Sequence, residues 1–366
     1  MIKANKLEIK PLIVRGRSVI GAGLAPYVIS EVGTNHNRDI ETARELVRQT
    51  ALAGCDCAKF QIYEPNEIVS ETIRSKDYGL DNNYGDISAR EMFGQYLQTP
   101  KEWFPELADL CHELKLDCCV TIHGEDGLRW ADKQDVDIIK LASMDHTNIP
   151  FMTNLIGSIG TPILASFGMA TLADIDAAVA VLREHPSGFA LFHCVAVYPP
   201  KYEEMHLRNI PYLRDRYNLD VGFSDHTTDV TSCIGAAALG AVVFEKHLTL
   251  NKSQKGPDHG FALEPDEMKV FVNNIHNAHR SLGSAEFSDP SYQEQTNARN
   301  YLKSIILKRD LGMGHKLSSE DVYLARPGTG IRPDRLIDVI NNGILANDVK
   351  AEHPLFDEDL MPMSPK

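Results

Sequence analysis

A β-then-α alternation, which begins near Pro26 and repeats to about residue 283, is the feature that most constrains the fold. Each unit is a short apolar run, such as YVISEVG or AVVFEKH, followed by a polar loop and a helix-length segment. Eight such units in roughly 260 residues match the requirement of a (β/α)8 barrel. A doubly wound open sheet normally has fewer strands and a glycine-rich phosphate loop, and no GxGxxG follows the first strand. The sequence therefore predicts an α/β protein with a (β/α)8 TIM barrel.

Several segments lie outside this repeat. Alternating residues at about 5–20 predict a hairpin ahead of the barrel, where it could plug one end. A polar segment at 64–98, called the excursion below, is long for a loop in a compact domain. We expect it to help close the active site. Near the C-terminus the pattern changes to a polar stretch and then to short, glycine-punctuated strands. We therefore predict a barrel domain at 1–286, a linker at 287–300 and a small β-rich domain at 301–366.

Composition argues against several classes of partner. The formal net charge is −14, whereas nucleic acids and anionic membranes attract clustered Lys and Arg. No apolar run approaches the ~18 residues of a membrane span, and the N-terminus does not resemble a signal peptide. The seven cysteines are odd in number and lie mostly in apolar runs, which indicates core residues in a reducing compartment. We expect a cytoplasmic protein with no nucleic-acid or membrane partner.

Two consecutive βα units, within residues 223–250, end in the same way. VGFSDHT and AVVFEKHLTL each run from a strand into a polar loop, so His226 and His247 should lie at the same end of neighbouring parallel strands. Glu245 precedes His247 by two positions and would share its strand face. Two imidazoles and a carboxylate at this end of a barrel suit a divalent metal. The alternative is that one histidine caps a helix and the other packs in a loop.

Other predicted strands also end in polar residues, where the active sites of such barrels form. Lys59 and Lys140 interrupt apolar strands, and with Thr and Ser hydroxyls nearby they fit a phosphate cradle. The alternative is a structural salt bridge to a neighbouring strand. Glu31 fits a metal ligand, a base or the partner of a buried lysine. Asp258 follows a Gly-Pro pair and is slightly better interpreted as a helix cap than as a polyol ligand.

The chain carries an ordered set of motifs, namely VISEVGTNHN, AKFQIY, IIKLASMDHTN, ILASFGM, FHCVAVYPP, GFSDHT, FEKHLTL and GPDHGFALEPDE. This set resembles the sialic acid synthase family, and the tail SIILKRDLGMGHKLSSEDVYLARPGTG resembles its antifreeze-like (SAF) domain. The resemblance extends from about residue 20 to residue 360. It implies that phosphoenolpyruvate is joined to an open-chain N-acylated aminosugar of the N-acetylmannosamine type, giving a nonulosonic acid and phosphate. It also implies a domain-swapped homodimer.

The resemblance further implies roles for individual residues. It places Mn²⁺ or Mg²⁺ on His226 and His247 with Glu31 close by, and it moves Glu245 away from the metal. These three residues, Glu31, His226 and His247, are the implied catalytic set. The residues implied to bind phosphoenolpyruvate are Lys59, Thr121, Lys140, Ser143, Ser166 and Ser224. The residues implied to contact the aminosugar are Gln61, Asp145, Tyr198, Asp258 and, from the C-terminal domain across the dimer interface, Arg326.

Three positions depart from the family pattern. Ala196 stands where Asn is frequent near phosphoenolpyruvate, Asp145 where Glu is frequent, and Phe167 where Thr is common. We expect the last two near the sugar, so they imply a different aminosugar, such as a 2,4-diacetamido-trideoxyhexose. Legionaminic acid synthesis is then the alternative. The motif GPDH at residues 256–259 makes pseudaminic acid synthesis less favoured. Outside this class, a non-catalytic carbohydrate-binding protein on the same scaffold is the alternative.

Overall fold

A computed structural model describes residues 9–284 and 286–362, in two compact units that divide after Gly283. In the first unit, strands β1 (Leu12–Val14) and β2 (Arg17–Ile20) form an antiparallel hairpin. Eight parallel strands then close into a barrel in chain order, the last pairing with the first. They are β3 (Tyr27–Gly33), β4 (Cys57–Gln61), β5 (Asp117–Thr121), β6 (Ile138–Leu141), β7 (Ile163–Ser166), β8 (Phe189–Cys194), β9 (Val221–Asp225) and β10 (Val243–His247). The predicted (β/α)8 TIM barrel is confirmed.

Helices follow the strands and cover the outside of the barrel. The long helix α1 begins after Asp39, whose side chain accepts from the Glu41 amide, and ends at Gly54 in the left-handed region. The helices of this unit are α1 (Ile40–Ala53), α2 (Pro65–Ile68), α3 (Asp81–Tyr84), α4 (Ala89–Met92), α5 (Phe104–Glu113), α6 (Glu125–Ala131), α7 (Ile149–Ser158), α8 (Leu172–Leu182), α9 (Asn209–Tyr217), α10 (Thr231–Ala238) and α11 (Pro265–Ser281). Single 3₁₀ turns occur at Ser75–Tyr78, Lys101–Trp103, Ser143–Asp145 and Tyr202–Glu204.

The strand residues alternate between two hydrophobic cores. Outward-facing residues such as Phe60 and Phe244 pack against the surrounding helices. Inward-facing residues such as Ile29 and Phe192 form a second core that includes Leu12 and Ile20 of the hairpin. The hairpin therefore plugs the amino-terminal end of the barrel and leaves the opposite end for polar side chains. The two strands pair between Leu12 and Ile20, within the range predicted for the hairpin, and residues 5–8 of that range lie outside the described residues.

The excursion at 64–98 is built from short helical turns rather than from an extended loop. It contains α2, α3, α4 and a π-helical turn at Phe93–Leu97. Glu67 of α2 anchors it, because its carboxylate accepts from the Asp126 amide at 2.6 Å and the Gly127 amide at 3.3 Å. The excursion is thus tied to the segment that follows β5.

The second unit has its own small core. It contains α12 (Tyr292–Tyr301), β11 (Ser304–Leu307), β12 (Val322–Ala325), α13 (Leu336–Asn342) and 3₁₀ turns at Pro333–Arg335 and Asp357–Asp359. The two strands pair in antiparallel fashion, and Ile305, Val339 and Leu355 are fully buried in its core. Most of α12 lies in the segment predicted as a linker, and this helix begins with a capping box between Ser291 and Glu294. The assignment of this unit as a SAF domain stays a prediction.

Two further expectations concern burial and membranes. All seven cysteines are free and buried, as predicted for small core residues. Within the described part of the chain, every helix is too short or too polar to cross a bilayer.

Candidate active site

A cavity of about 660 Å³ opens at the carboxyl end of the barrel. The polar strand-end residues form its floor, and apolar side chains of the excursion contribute to its walls. Twelve of the fourteen predicted site residues line it, and these are Glu31, Lys59, Gln61, Thr121, Lys140, Ser143, Ser166, Tyr198, Ser224, His226, His247 and Asp258. The excursion contributes Ile68, Tyr78, Leu80, Phe93 and Leu97.

Two lysines and two glutamates form a buried charge network on the floor. The ammonium of Lys59 lies 2.7 Å from the Glu31 carboxylate and 3.4 Å from that of Glu245, and it donates to the Thr121 hydroxyl at 3.1 Å. Lys140 lies 3.8 Å from Glu245. The structural salt bridge considered for Lys59 is therefore present, while both ammonium groups also line the cavity.

Burial and the charges of this network shift the pKa values of its members in different directions. Burial lowers the pKa of Lys59, but the Glu245 and Glu31 charges outweigh it and raise this pKa overall. Burial raises the pKa of Glu31, although Lys59 opposes the effect. Burial also raises the pKa of Glu245, but Lys140 and Lys59 together outweigh it and lower the value. Glu31 is thus the carboxylate of this pair that takes up a proton more readily.

Three serine hydroxyls surround the lysines. Ser166 accepts from Lys140, and Ser224 donates to Glu245 at 3.3 Å. Ser143 accepts from the Gly168 amide at 2.9 Å. This arrangement offers cations and hydroxyl donors to an anion that enters the cavity.

The two histidines lie side by side, as the repeated sequence pattern predicts. β9 and β10 pair Ser224 with Glu245, so His226 and His247 follow at matching positions. Their ring centroids are 5.4 Å apart. His226 Nδ1 is 3.0 Å from the Val195 carbonyl, which leaves Nε2 as its ligating nitrogen.

The two histidines differ in how well they suit a divalent metal. Burial lowers the pKa of His226, but the hydrogen bond and charge of the Cys194 thiol outweigh it and raise this pKa. Nδ1 of His247 is buried and has no hydrogen-bond partner within the described residues, and it lies 3.5 Å from Asp258 Oδ2. Burial, together with the His226 and Lys59 charges, lowers the pKa of His247, which favours the neutral, ligating imidazole. Across residues 9–284 and 286–362, no group of three His, Cys, Asp or Glu side chains converges as a complete metal centre. Two imidazoles would leave other coordination positions for substrate oxygens or water.

Comparison with known proteins identifies the family. The family model described as NeuB matches residues 46–287. The chain belongs to the NeuB family. This NeuB-family protein is 32% identical to the N,N'-diacetyllegionaminic acid synthase of Legionella pneumophila, over 91% of this chain and 94% of that protein. It is 29% identical to the N-acetylneuraminate-9-phosphate synthase of Drosophila melanogaster, over 92% of this chain and 96% of that protein. The predicted resemblance to sialic acid synthases is confirmed.

A solved structure agrees with this placement. The N-acetylneuraminic acid synthetase of Leptospira borgpetersenii has a TM-score of 0.69 and 26% sequence identity to the NeuB-family chain. The match covers 79% of this chain and 96% of that one. The barrel is therefore shared with a protein of the same family.

The residues predicted to meet an aminosugar differ in their surroundings in this NeuB-family protein. Gln61 donates to Glu31 at 2.7 Å, and Asp258 accepts from the Thr34 hydroxyl at 3.2 Å. The Tyr198 ring lies 4.3 Å from the His226 ring. The interpretation of Asp258 as a helix cap is wrong, because α11 is capped by Glu264.

Two of the predicted sugar contacts, Asp145 and Arg326, and one further departure, Phe167, are not among the residues that line the cavity. Asp145 lies behind it, where its carboxylate is 2.8 Å from Nδ1 of His123. Phe167 lines a neighbouring cavity of about 530 Å³ instead. Arg326 belongs to the second unit, where its guanidinium lies 5.0 Å from the centre of the Tyr301 ring. The expectation that Phe167 lies near the sugar stays a prediction.

Outside the excursion, sequence reasoning missed three polar residues that line the cavity in the NeuB-family barrel, Thr34, His123 and Cys194. His123 follows Thr121 by two positions, so the alternation that identified Thr121 extends to it. Cys194 was assigned only a core role, although its thiol contributes to the surroundings of His226. The apolar residues of the cavity wall carry no comparable strand alternation in the sequence, because they belong to the excursion.

Proposed function

We propose that this protein joins phosphoenolpyruvate to an N-acylated aminosugar in its open-chain form, giving a nonulosonic acid and phosphate. The observation that carries the proposal is the placement of Lys59 and Lys140, with Thr and Ser hydroxyls, on the floor of the cavity that His226 and His247 also line. Membership of a family whose relatives are named as legionaminic and neuraminate synthases supports it.

The lysines and hydroxyls suit the phosphate and carboxylate of phosphoenolpyruvate. Lys59 and Lys140 would contribute the charge, and Thr121, Ser143, Ser166 and Ser224 would contribute hydrogen bonds. These charges act at a site where the surrounding barrel excludes most water, so they stabilise anionic groups more strongly than surface lysines would.

His226 and His247 would hold Mn²⁺ or Mg²⁺, and the bound ion would polarise the sugar aldehyde as a Lewis acid. Carbon–carbon bond formation leaves positive character at C2 of the pyruvyl group, and water adds there. Glu31 is close to Lys59 and Gln61, and we assign it the proton released by that water. Lys59 and Lys140 then stabilise the phosphate as it leaves.

Among aminosugars, we propose a 2,4-diacetamido-trideoxyhexose, the type that gives legionaminic acid. The apolar side chains of Ile68, Leu80 and Phe93 on the cavity wall suit a deoxy methyl group and acetamido methyls. Two relatives named N,N'-diacetyllegionaminic acid synthase are each 32% identical to this chain. N-acetylmannosamine is the second candidate, because a neuraminate-9-phosphate synthase is 29% identical over nearly the same length.

The family resemblance also supports a homodimer in which Arg326 of the SAF-type domain reaches the sugar in the other subunit. Replacing Arg326 with Ala should then raise the KM of the aminosugar and leave that of phosphoenolpyruvate unchanged. Sedimentation of the full chain should give twice the monomer mass, and a monomer with full activity would exclude this arrangement.

The deciding experiment is phosphate release from phosphoenolpyruvate by metal-stripped protein resupplied with Mn²⁺. N-acetylmannosamine and 2,4-diacetamido-2,4,6-trideoxymannose are compared as acceptors. We expect turnover with the second sugar, no phosphate without a sugar, and no turnover without metal. Turnover with N-acetylmannosamine alone would reverse the sugar assignment. A folded, metal-loaded protein that releases phosphate with neither sugar would contradict the proposed function and favour a carbohydrate-binding role.

The metal assignment is tested separately, by measuring Mn²⁺ binding instead of turnover. His226→Ala should lose Mn²⁺ binding measured by calorimetry or electron paramagnetic resonance, with little change in the melting temperature. His185→Ala is the matched control, because His185 contacts the Thr161 carbonyl and does not line the cavity. Unchanged Mn²⁺ affinity in His226→Ala would remove this residue from the metal site.

A further inference from the structure

A buried histidine–aspartate pair borders the cavity at a place outside the network of lysines and metal-type histidines. His123 Nδ1 lies 2.8 Å from Asp145 Oδ2, and their side chains are 5% and 7% exposed. Because a carboxylate accepts, Nδ1 is the donor. In the tautomer with a single proton on Nδ1, Nε2 is an acceptor, and among the described residues it has no hydrogen-bond partner. His123 lines the cavity, so this nitrogen is available to a bound molecule.

His123 follows the floor residues along the chain and contacts the aromatic residues that lead to the apolar wall. Thr121, the last residue of β5, accepts from Lys59 on the floor, and His123 follows two positions later in the segment that leaves the strand. The His123 ring also contacts Tyr63 edge-on at 5.6 Å, and Tyr63 in turn contacts Phe93 of the apolar wall at 6.2 Å. His123 therefore lies on the cavity wall between the floor residue Thr121 in sequence and the aromatic residues that lead to the excursion.

The segment that carries His123 is held firmly. The carboxylate of Glu67 crosses from the excursion and accepts from the amides of Asp126 and Gly127, just after His123. A Cβ at Gly124 would crowd the same carboxylate, so a larger residue there would have to displace Glu67. With Asp145 on one ring nitrogen and the backbone held by Glu67, the imidazole has a defined orientation before any ligand arrives.

We propose that His123 is a specificity-determining residue that accepts a hydrogen bond from an N–H or O–H of the aminosugar, and that Asp145 is a positioning residue that acts through it. The inference rests on the proposed function, and it identifies one side chain that would recognise the aminosugar. It also gives Asp145 a function without direct sugar contact. An imidazole nitrogen that accepts suits an amide N–H or a hydroxyl, and it adds no negative charge to a cavity that must also hold phosphoenolpyruvate.

The test compares His123→Ala, His123→Gln, Asp145→Ala and the double variant by steady-state kinetics with both substrates. We expect His123→Ala to raise the KM of the aminosugar on the order of 10- to 100-fold, the range for loss of a substrate hydrogen bond. The KM of phosphoenolpyruvate should change less than about twofold, because the floor is intact. His123→Gln should recover part of the loss, since its amide oxygen is also an acceptor.

The double variant tests whether Asp145 acts through His123, because their effects on the aminosugar KM should then not add. Asp145→Ala should raise the same KM by a smaller factor, and the double variant should be no worse than His123→Ala, because Asp145 acts only through the ring. His276→Ala on α11 is the matched control and should behave as wild type. Melting curves establish that each variant is folded.

The outcomes separate this inference from the function on which it rests. Wild-type turnover together with an unchanged aminosugar KM in His123→Ala would overturn the role of His123 and leave the synthase function standing. Equal rises in the KM values of both substrates would also overturn it. Absence of wild-type turnover with either aminosugar would overturn the function and the inference together.

Discussion

Lys246 and Asp225 form an ion pair at 2.6 Å between two side chains that are fully buried. They lie on the outer sides of β10 and β9, one position before His247 and His226. Lys246 also donates to the carbonyls of Thr227 and Asp229, and Asp225 accepts from the Thr227 amide at 3.0 Å. The pair therefore ties the loop after His226 to the neighbouring strand.

Removing one partner of this pair should be strongly destabilising. Lys246→Met leaves the Asp225 carboxylate buried without its cation, and we expect a loss of about 3–5 kcal/mol in the free energy of unfolding. Urea denaturation measures the change. Adding Asp225→Asn to Lys246→Met should recover part of the loss, because no uncompensated charge remains. Lys350→Met is the control, since its pair with Asp310 at 2.7 Å is largely exposed and should matter little.

Gly168 should be intolerant of even one added methyl group. A Cβ there would lie 2.9 Å from the Ser143 hydroxyl and 3.1 Å from Cβ of Ala196. Gly168→Ala should therefore displace Ser143 and weaken phosphoenolpyruvate binding by about tenfold, the effect of losing one hydrogen bond to a charged group. Calorimetric titration measures it. Gly157→Ala in α7 has open space around it and should bind normally. Equal affinity in the two variants would exclude Ser143 from the anion site.

Glu67 should control the order of the excursion. Glu67→Ala removes the acceptor of the Asp126 and Gly127 amides, and we expect faster hydrogen exchange in residues 65–97 and a higher aminosugar KM. The loss of stability should be about 1–2 kcal/mol, as for a lost helix cap. Glu71→Ala provides the control, because Glu71 is exposed and its carboxylate pairs at the surface with Arg90 of the excursion at 3.1 Å. Unchanged exchange in Glu67→Ala would contradict the anchoring role.

His36 should contribute to acid destabilisation. Burial, followed by the Arg38 charge, lowers the pKa of His36 to about 4, below its ordinary value of 6.5. The unfolded chain then binds more protons than the folded one between these values, so stability falls as the pH decreases from about 6.5 to about 4, by up to about 3 kcal/mol. Urea denaturation at about pH 7.5 and about pH 5 should show a smaller pH effect in His36→Gln than in wild type. An equal loss in both proteins would exclude His36 as a contributor.

The strand pattern and the end of the barrel that carries the site could be predicted because both depend on local periodicity. Apolar runs of β length, alternating with helices, define which residues lie on strands, and period-two alternation defines which of them share a face. Residues two positions apart on a strand share a face, so a short stretch of sequence is enough to predict that Lys59 and Gln61 face the cavity. The same holds for Ser224 and His226. The strand-end rule for such barrels then places them at one mouth.

Tertiary structure alone decided the partners of these side chains. Asp258 interacts with Thr34, which lies 224 positions earlier, rather than capping the next helix. Asp145 turns to His123 behind the cavity, and Phe167 borders a different cavity, although both follow strand ends as the other site residues do. Glu67 reaches across from the excursion to fix the segment after β5. Periodicity specifies the face on which a residue lies, whereas its partner depends on barrel closure and loop packing, which bring distant segments within hydrogen-bond range.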